Sequence, residues 1–290
     1  MASTVDNPPR LTYFLRAFAY FVLLTIVNTL AYSGIDSILS PAAPSWLATL
    51  VESLAYLVGV VALTWAFCHF VDRTSLHSLG LQRQGWATRL GAGLGLGVLL
   101  QILIFLALVI AGWLTAERAP WQPLEFAVSV VAWIVISFNE ELAFRGYIMQ
   151  RLSLAWGMAA AVVASSVVFA LIHALNPNVQ PLAMVSLFVA GLFLACGFLV
   201  TRSLWLPIGL HLGWNLAEVH LFGFPGSGVP EPSIIRSVPH GPELMTGGAF
   251  GPEGGIVGLV APLIGIAILF IGYRIALAKK KQKEIGDKQA

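Results

Sequence analysis

Eight apolar runs dominate the sequence, and each is about as long as a bilayer crossing requires. A hydrocarbon core of ~30 Å calls for roughly 20 apolar residues in a helix. The runs fall at about 11–33, 46–71, 89–114, 122–152, 156–175, 181–201, 204–221 and 255–277. Only short connections separate them, which leaves little chain for a soluble domain. Charged residues are 10% of the chain, against about a quarter in ordinary soluble domains. The expectation is therefore one integral membrane domain over 1–290: an all-α polytopic bundle of about eight transmembrane helices with a basic tail at 278–290.

Other classes drop out quickly. A net charge of +2 gives no electrostatic case for nucleic acid. Cys68 and Cys196 lie in apolar segments without metal or redox spacing and read as small buried hydrophobes. The first run is too long for a cleaved signal peptide, and no small-x-small pattern follows it. Gly91, Gly93, Gly95 and Gly97 open the third run, but no strand precedes them, so close helix packing is preferred to a phosphate loop.

Basic residues set the expected orientation, because Lys and Arg accumulate in cytoplasmic connections. With eight spans both termini share one side. That side carries Arg10, the connection with Arg73, Arg83 and Arg89, then Arg151, Arg202 and the tail KKKQK. The other side carries Asp36, the Glu117–Arg118 connection and a Gly- and Pro-rich segment at 222–254 with Glu231, Glu243 and Glu253. The expectation is a multi-pass cell-membrane protein with both termini cytoplasmic.

Charge inside a span is costly and usually faces a cavity or a partner. Three stretches matter: NEELAFR in the fourth span, FALIHALNP in the fifth and HLGWN in the seventh. Residues four apart share a helix face. Glu141 and Arg145 are thus natural ion-pair partners, while Glu140 points elsewhere, beside Trp133, Ser137, Phe144 and Tyr147. His211 and Asn215 share a face, with Glu218 three residues on. At ~1.5 Å rise per residue, Glu140, His173, His211 and Asn215 sit roughly 18, 25, 12 and 18 Å from the terminal-side ends of their helices, overlapping depths that fit one site. A carboxylate in apolar surroundings can shuttle a proton, imidazoles can bind a metal or donate hydrogen bonds, and an amide can support an oxyanion. These parts suit water attack on a carbonyl. His69, His77, His220 and His240 fall at span ends or in connections and read as surface or interfacial residues.

Glu140-Glu141-xxx-Arg145, Phe169-xxx-His173 and His211-xxx-Asn215, in this order on separate spans, resemble the CAAX-processing and bacteriocin-processing (CPBP, or Abi) family of intramembrane proteases. The resemblance covers a core at about 122–221, with the linker DRTSLHSLGL before it and a similar loop, LMTGGAFGPEGG, after it. It implies hydrolysis of a peptide bond in a membrane-associated peptide or protein, at a site within the bilayer that opens toward the cytoplasm. Glu140 and His173 would activate water, His211 and Asn215 would stabilise the oxyanion, and Glu141, Arg145 and Glu218 would support them. Both a glutamate-dependent and a metal-dependent chemistry are open. In the latter Glu140, His173 and His211 would hold the metal, with zinc the candidate; HExxH is absent. A non-catalytic bacteriocin-immunity protein or a membrane transporter is the alternative, because intramembrane Glu and His also build proton relays. A transporter should often show an internal repeat; none is evident, and the polar residues cluster in the C-terminal half.

Overall fold

The structure, a computed structural model, describes residues 9–39 and 43–289, without the side chains of 36, 37 and 283–289. Asp36 and the last residues of the basic tail therefore lie outside the described side chains. Helices α1 (Arg10–Gly34), α2 (Ser45–Asp72) and α3 (Trp86–Ile110) lead to a short strand, β1 (Leu114–Arg118). Then come α4 (Pro123–Trp156), α5 (Met158–Ile172), α6 (Pro181–Thr201) and α7, which is Trp205–Asn215 prolonged by the π-helical Leu216–Leu221. Strand β2 (Ile235–Pro239) precedes α8 (Ile256–Gln289).

The architecture is an all-α polytopic bundle. Among the described residues, six helices are long and apolar enough to cross a membrane: α1 to α4, α6 and α8. The expected fifth and seventh spans form helices that are shorter. The fifth was expected to reach residue 175 but stops at Ile172. Pro177 disfavours helix for the residue before it, and Asn178 turns the chain with φ of 58°. The connections read as loops at Glu117–Arg118 and within 222–254 pair instead as a two-stranded antiparallel sheet, with Glu117 opposite Arg236. Each strand is too short to signal itself locally, and its partner is distant in sequence.

Large apolar side chains such as Leu11, Phe18, Val58, Ile110 and Phe270 are exposed around the bundle, as a lipid-facing surface requires. Trp86 and Trp156 are exposed at the end shared by the termini and Trp121 at the other, the placement expected of aromatic belts. At the terminal end, Asp72 accepts a 2.8 Å bond from Arg16 and lies 3.6 Å from Arg151, tying α1, α2 and α4 together. Deeper in, Tyr20 stacks on Tyr147 with centroids 4.4 Å apart and shares a 2.7 Å hydrogen bond with Thr64.

The closest seam joins α3 to α7. A Cβ on Gly93 or Gly97 would overlap the carbonyl oxygen of Leu206 or Leu210. Cβ atoms on Gly209 or Gly213 would overlap those of Leu90 or Leu94. Two small-xxx-small pairs thus bring the backbones into contact, which lipid-embedded helices use in place of a hydrophobic driving force. The seam also sets function. His211 and Asn215 lie two positions beyond Gly209 and Gly213, roughly 200° round the helix at ~100° per residue, so they face away from α3 into the bundle. Gly213→Ala should lower stability by about 1–3 kcal/mol, the usual range for overpacking, measured by equilibrium unfolding in mixed micelles. An unchanged midpoint would contradict the seam.

Candidate active site

Glu140 and Glu141 end the regular part of α4, and a π-helical segment, Leu142–Ile148, follows directly. Another π segment begins directly after Asn215, and two more lie at Leu30–Gly34 and Phe67–Asp72. Such insertions recur at functional sites because they re-aim side chains within a helix. The sequence carries no periodicity signal for them.

Arg145 is fully buried. Its Nη1 donates to Glu141 Oε1 at 2.6 Å, its Nη2 donates to the Gly191 carbonyl at 3.1 Å, and its guanidinium stacks 4.4 Å from the Phe169 ring centroid. Glycine is required at 191, since a Cβ there would lie 2.8 Å from Ser166 Cβ. The expected i,i+4 pair is therefore present, and Glu141 has a further partner. His211 Nδ1 lies 3.1 Å from the same Oε1. A proton on Nδ1 satisfies that contact and turns Nε2 toward Glu140, whose Oε2 is 3.9 Å away. His173 is similarly oriented: its Nδ1 donates to the Phe169 carbonyl at 2.8 Å, which leaves Nε2 as the ring's remaining polar atom.

Glu140, His173, His211 and Asn215 all line one cavity of about 770 Å³. Glu140 is buried, and its Oε2 has no hydrogen-bond partner within the protein. A buried carboxylate oxygen without a partner is expensive; Asp72 Oδ2, Glu141 Oε2 and Glu218 Oε1 share that condition, and of these four residues Glu140 is the one that lines the cavity. Trp133 and Phe144 line the cavity beside Glu140, whereas Tyr147 packs against Tyr20 and Phe67. Glu218 is fully buried but does not line the cavity. His220, expected at an interface, is buried against Phe126. Among the described residues, no three His, Cys, Asp or Glu side chains are placed to hold a metal ion, so Glu140, His173 and His211 do not form a ligand set as they stand.

Three further carboxylates line the cavity: Glu52, Glu231 and Glu253. Glu253 accepts from Trp214 Nε1 at 3.0 Å and from Ser227 Oγ at 2.7 Å; Glu231 accepts from Ser129 Oγ at 2.8 Å. Burial raises the Glu231 carboxyl above the ordinary carboxylate range, with the Ser129 bond acting against it. The glycines of TGGAFGPEGG make this placement possible: Gly247 and Gly251 have φ of 81° and 97°, and the tight turn carries Glu253 beneath Trp214. A lone Glu in the second span and the PEP and PEGG strings were the available signals.

The cavity has a direction. Its exposed lining includes Leu171, Leu175 and Val229, all at the end of the bundle away from the termini. Cytoplasmic termini and a cytoplasmic opening were both expected. Termini and opening lie at opposite ends, so the two expectations do not hold together.

Residues 120–217 match a family model described as type II CAAX prenyl endopeptidase Rce1-like. Over this segment the chain is similar to the CAAX-protease family. The matched residues include Glu140, Glu141, Arg145, His173, His211 and Asn215. The match supports an intramembrane CAAX-type endopeptidase acting on a membrane-associated protein. No curated protein matches the chain. Glu52, Glu231 and Glu253 lie outside the matched segment.

Removing one partner of a buried ion pair costs about 3–5 kcal/mol. Arg145→Met should lower stability by about that amount, because Glu141 is left charged between α4 and α7. A stability change below about 1 kcal/mol, the level of an exposed pair, would contradict the arrangement.

Proposed function

We propose that the protein is an intramembrane endopeptidase in which Glu140 and His173 activate a water molecule that attacks a peptide carbonyl. Glu140 takes a proton from the water, the hydroxide oxygen bonds to the carbonyl carbon, and the proton then passes to the leaving amine as the C–N bond breaks. Asn215 donates its amide N–H to the oxyanion. His211 joins it only when both ring nitrogens carry protons, since Nδ1–H is held by Glu141. The single observation that carries this reading is the unpartnered, buried Glu140 Oε2 in the cavity that His173, His211 and Asn215 also line. No step runs through a metal, because the donor set is not arranged for one.

The whole chain acts as one membrane domain, since residues from α2 and from the 222–254 segment complete a cavity centred on the core at 122–221. Cytoplasmic termini follow from the charge distribution. Among the far-end connections only Arg118 and Arg236 are Lys or Arg, while the terminal end carries the remaining surface Lys and Arg residues. The cavity then opens on the non-cytoplasmic side. An immunity or transport role would not account for the division of labour between the two adjacent glutamates.

Purified protein offered membrane-anchored peptides should cleave, and Glu140→Gln should cut turnover by about 10²–10⁴-fold, the range of a lost general base. Undiminished cleavage by a folded Glu140→Gln protein would end the mechanism. Cleavage should also persist after treatment with a strong chelator, and loss restored by added zinc would redirect the reading to a metal. For orientation, Leu175→Cys in intact cells should react with a membrane-impermeant maleimide while Arg83→Cys should not. The reverse pattern would invert the topology.

A further inference from the structure

Tyr56, on α2, is 6% exposed and lines the same cavity as Glu140. A buried tyrosine normally finds a partner for its O–H, as Tyr20 does in Thr64. Among the described residues no hydrogen bond engages the Tyr56 hydroxyl, yet its oxygen is not sealed off, so it faces the cavity that the ring lines. Tyr147 also carries a hydroxyl without a hydrogen-bond partner, but that oxygen is sealed in and lies outside the cavity. Glu140 is the carboxylate whose charge reaches the Tyr56 hydroxyl.

The packing fixes where that hydroxyl stands. Helices α2 and α4 lie side by side, run in the same direction and are keyed together where Phe67 meets Tyr147 edge-on, with ring centroids 5.4 Å apart. Counted back from that contact at ~1.5 Å per residue, Tyr56 lies about 6 Å nearer the cavity mouth than Glu140. A water held by Glu140 at ~2.8 Å and a carbonyl carbon ~3 Å beyond it occupy that interval. The carbonyl oxygen of a bound peptide is then level with Tyr56. The Tyr32 ring, on α1, packs against the Tyr56 ring at 5.6 Å and restricts its rotation.

The proposed reaction needs such a group. Asn215 supplies one N–H to the developing oxyanion. His211 Nε2 carries a proton only in the imidazolium form, because Nδ1–H is held by Glu141. A phenol keeps its proton at neutral pH and donates without a change of charge. We propose that Tyr56 is a second oxyanion donor, whose O–H donates to the carbonyl oxygen of the scissile bond together with Asn215. That bond strengthens as negative charge develops on the oxygen. The hydrogen stays on the phenol, and the contact relaxes when the C–N bond breaks and the carbonyl re-forms. This role rests on the protease reading and adds to it a residue outside the segment that matches the family model.

The test uses full-length protein in nanodiscs and a panel of membrane-anchored peptides, a farnesylated CAAX-type peptide among them. Tyr56→Phe should lower kcat by about 10²–10³-fold, the cost of one oxyanion donor, with KM within about twofold of the parent. Its unfolding midpoint should not move, because no hydrogen bond within the protein is lost. A ketone analogue of the cleaved peptide, bound as its tetrahedral hydrate, should lose affinity by about the same factor as kcat, as a contact specific to the transition state requires. Tyr32→Phe should lose much less. Parent turnover in Tyr56→Phe, a loss expressed in KM alone, or a Tyr32→Phe loss as large as that of Tyr56→Phe would overturn the inference. Failure of Tyr56→Phe to fold would overturn it as well, since the hydroxyl would then be structural. Parent turnover in Tyr56→Phe beside an inactive Glu140→Gln leaves the protease reading standing, whereas no cleavage by the parent removes both.

Discussion

A buried guanidinium organises the centre of this bundle. Arg145 cannot be placed in an apolar interior without compensation, and its three partners come from three helices: Glu141 on α4, the Gly191 carbonyl on α6 and the Phe169 ring on α5. Glu141 then extends the network to His211 on α7. One neutralised charge thereby fixes the relative positions of four helices. Replacing the whole network with apolar side chains need not cost stability. What it provides is registry: His211 is turned so that its second nitrogen faces Glu140.

The glycine seam between α3 and α7 supplies the opposing constraint. It presses α7 from behind, with Gly209 and Gly213 against the backbone of α3, while His211 and Asn215 project to the other side. Between the seam and the Arg145 network, α7 has little freedom to rotate. Glu140 is left outside both arrangements, buried in a cavity with no hydrogen-bond partner for its Oε2. A group held this way lowers stability, a cost that functional sites characteristically carry.

Much of this was legible in the sequence, for physical reasons that also mark where legibility ends. Hydrophobic run length gives the helices, since a bilayer imposes a nearly fixed crossing distance. The i,i+4 relation gives Glu141–Arg145 and His211–Asn215 as neighbours on one helix face. Contacts between helices are another matter. Nothing local says that Glu141 also holds His211, that α5 ends at Ile172, or that π segments follow Glu141 and Asn215. Glu52, Glu231 and Glu253 were equally hidden, because a carboxylate becomes part of a site only when distant segments fold against it. The Gly-rich turn at 247–255 shows why: its glycines were plain to see, yet their purpose, carrying Glu253 beneath Trp214, depends on α7 being there.

Adjacent glutamates on one helix thus have opposite relations to the fold. Glu141 is a partner of Arg145 and His211, whereas Glu140 turns an oxygen without a hydrogen-bond partner into the cavity. The most direct test is to measure unfolding and turnover on the same preparations of Glu141→Gln and Glu140→Gln. Glu141→Gln should lose stability, because Arg145 is left buried without its counter-charge. Glu140→Gln should match or exceed the parent in stability while losing cleavage. A stable Glu141→Gln beside a destabilised, active Glu140→Gln would contradict the account at its centre.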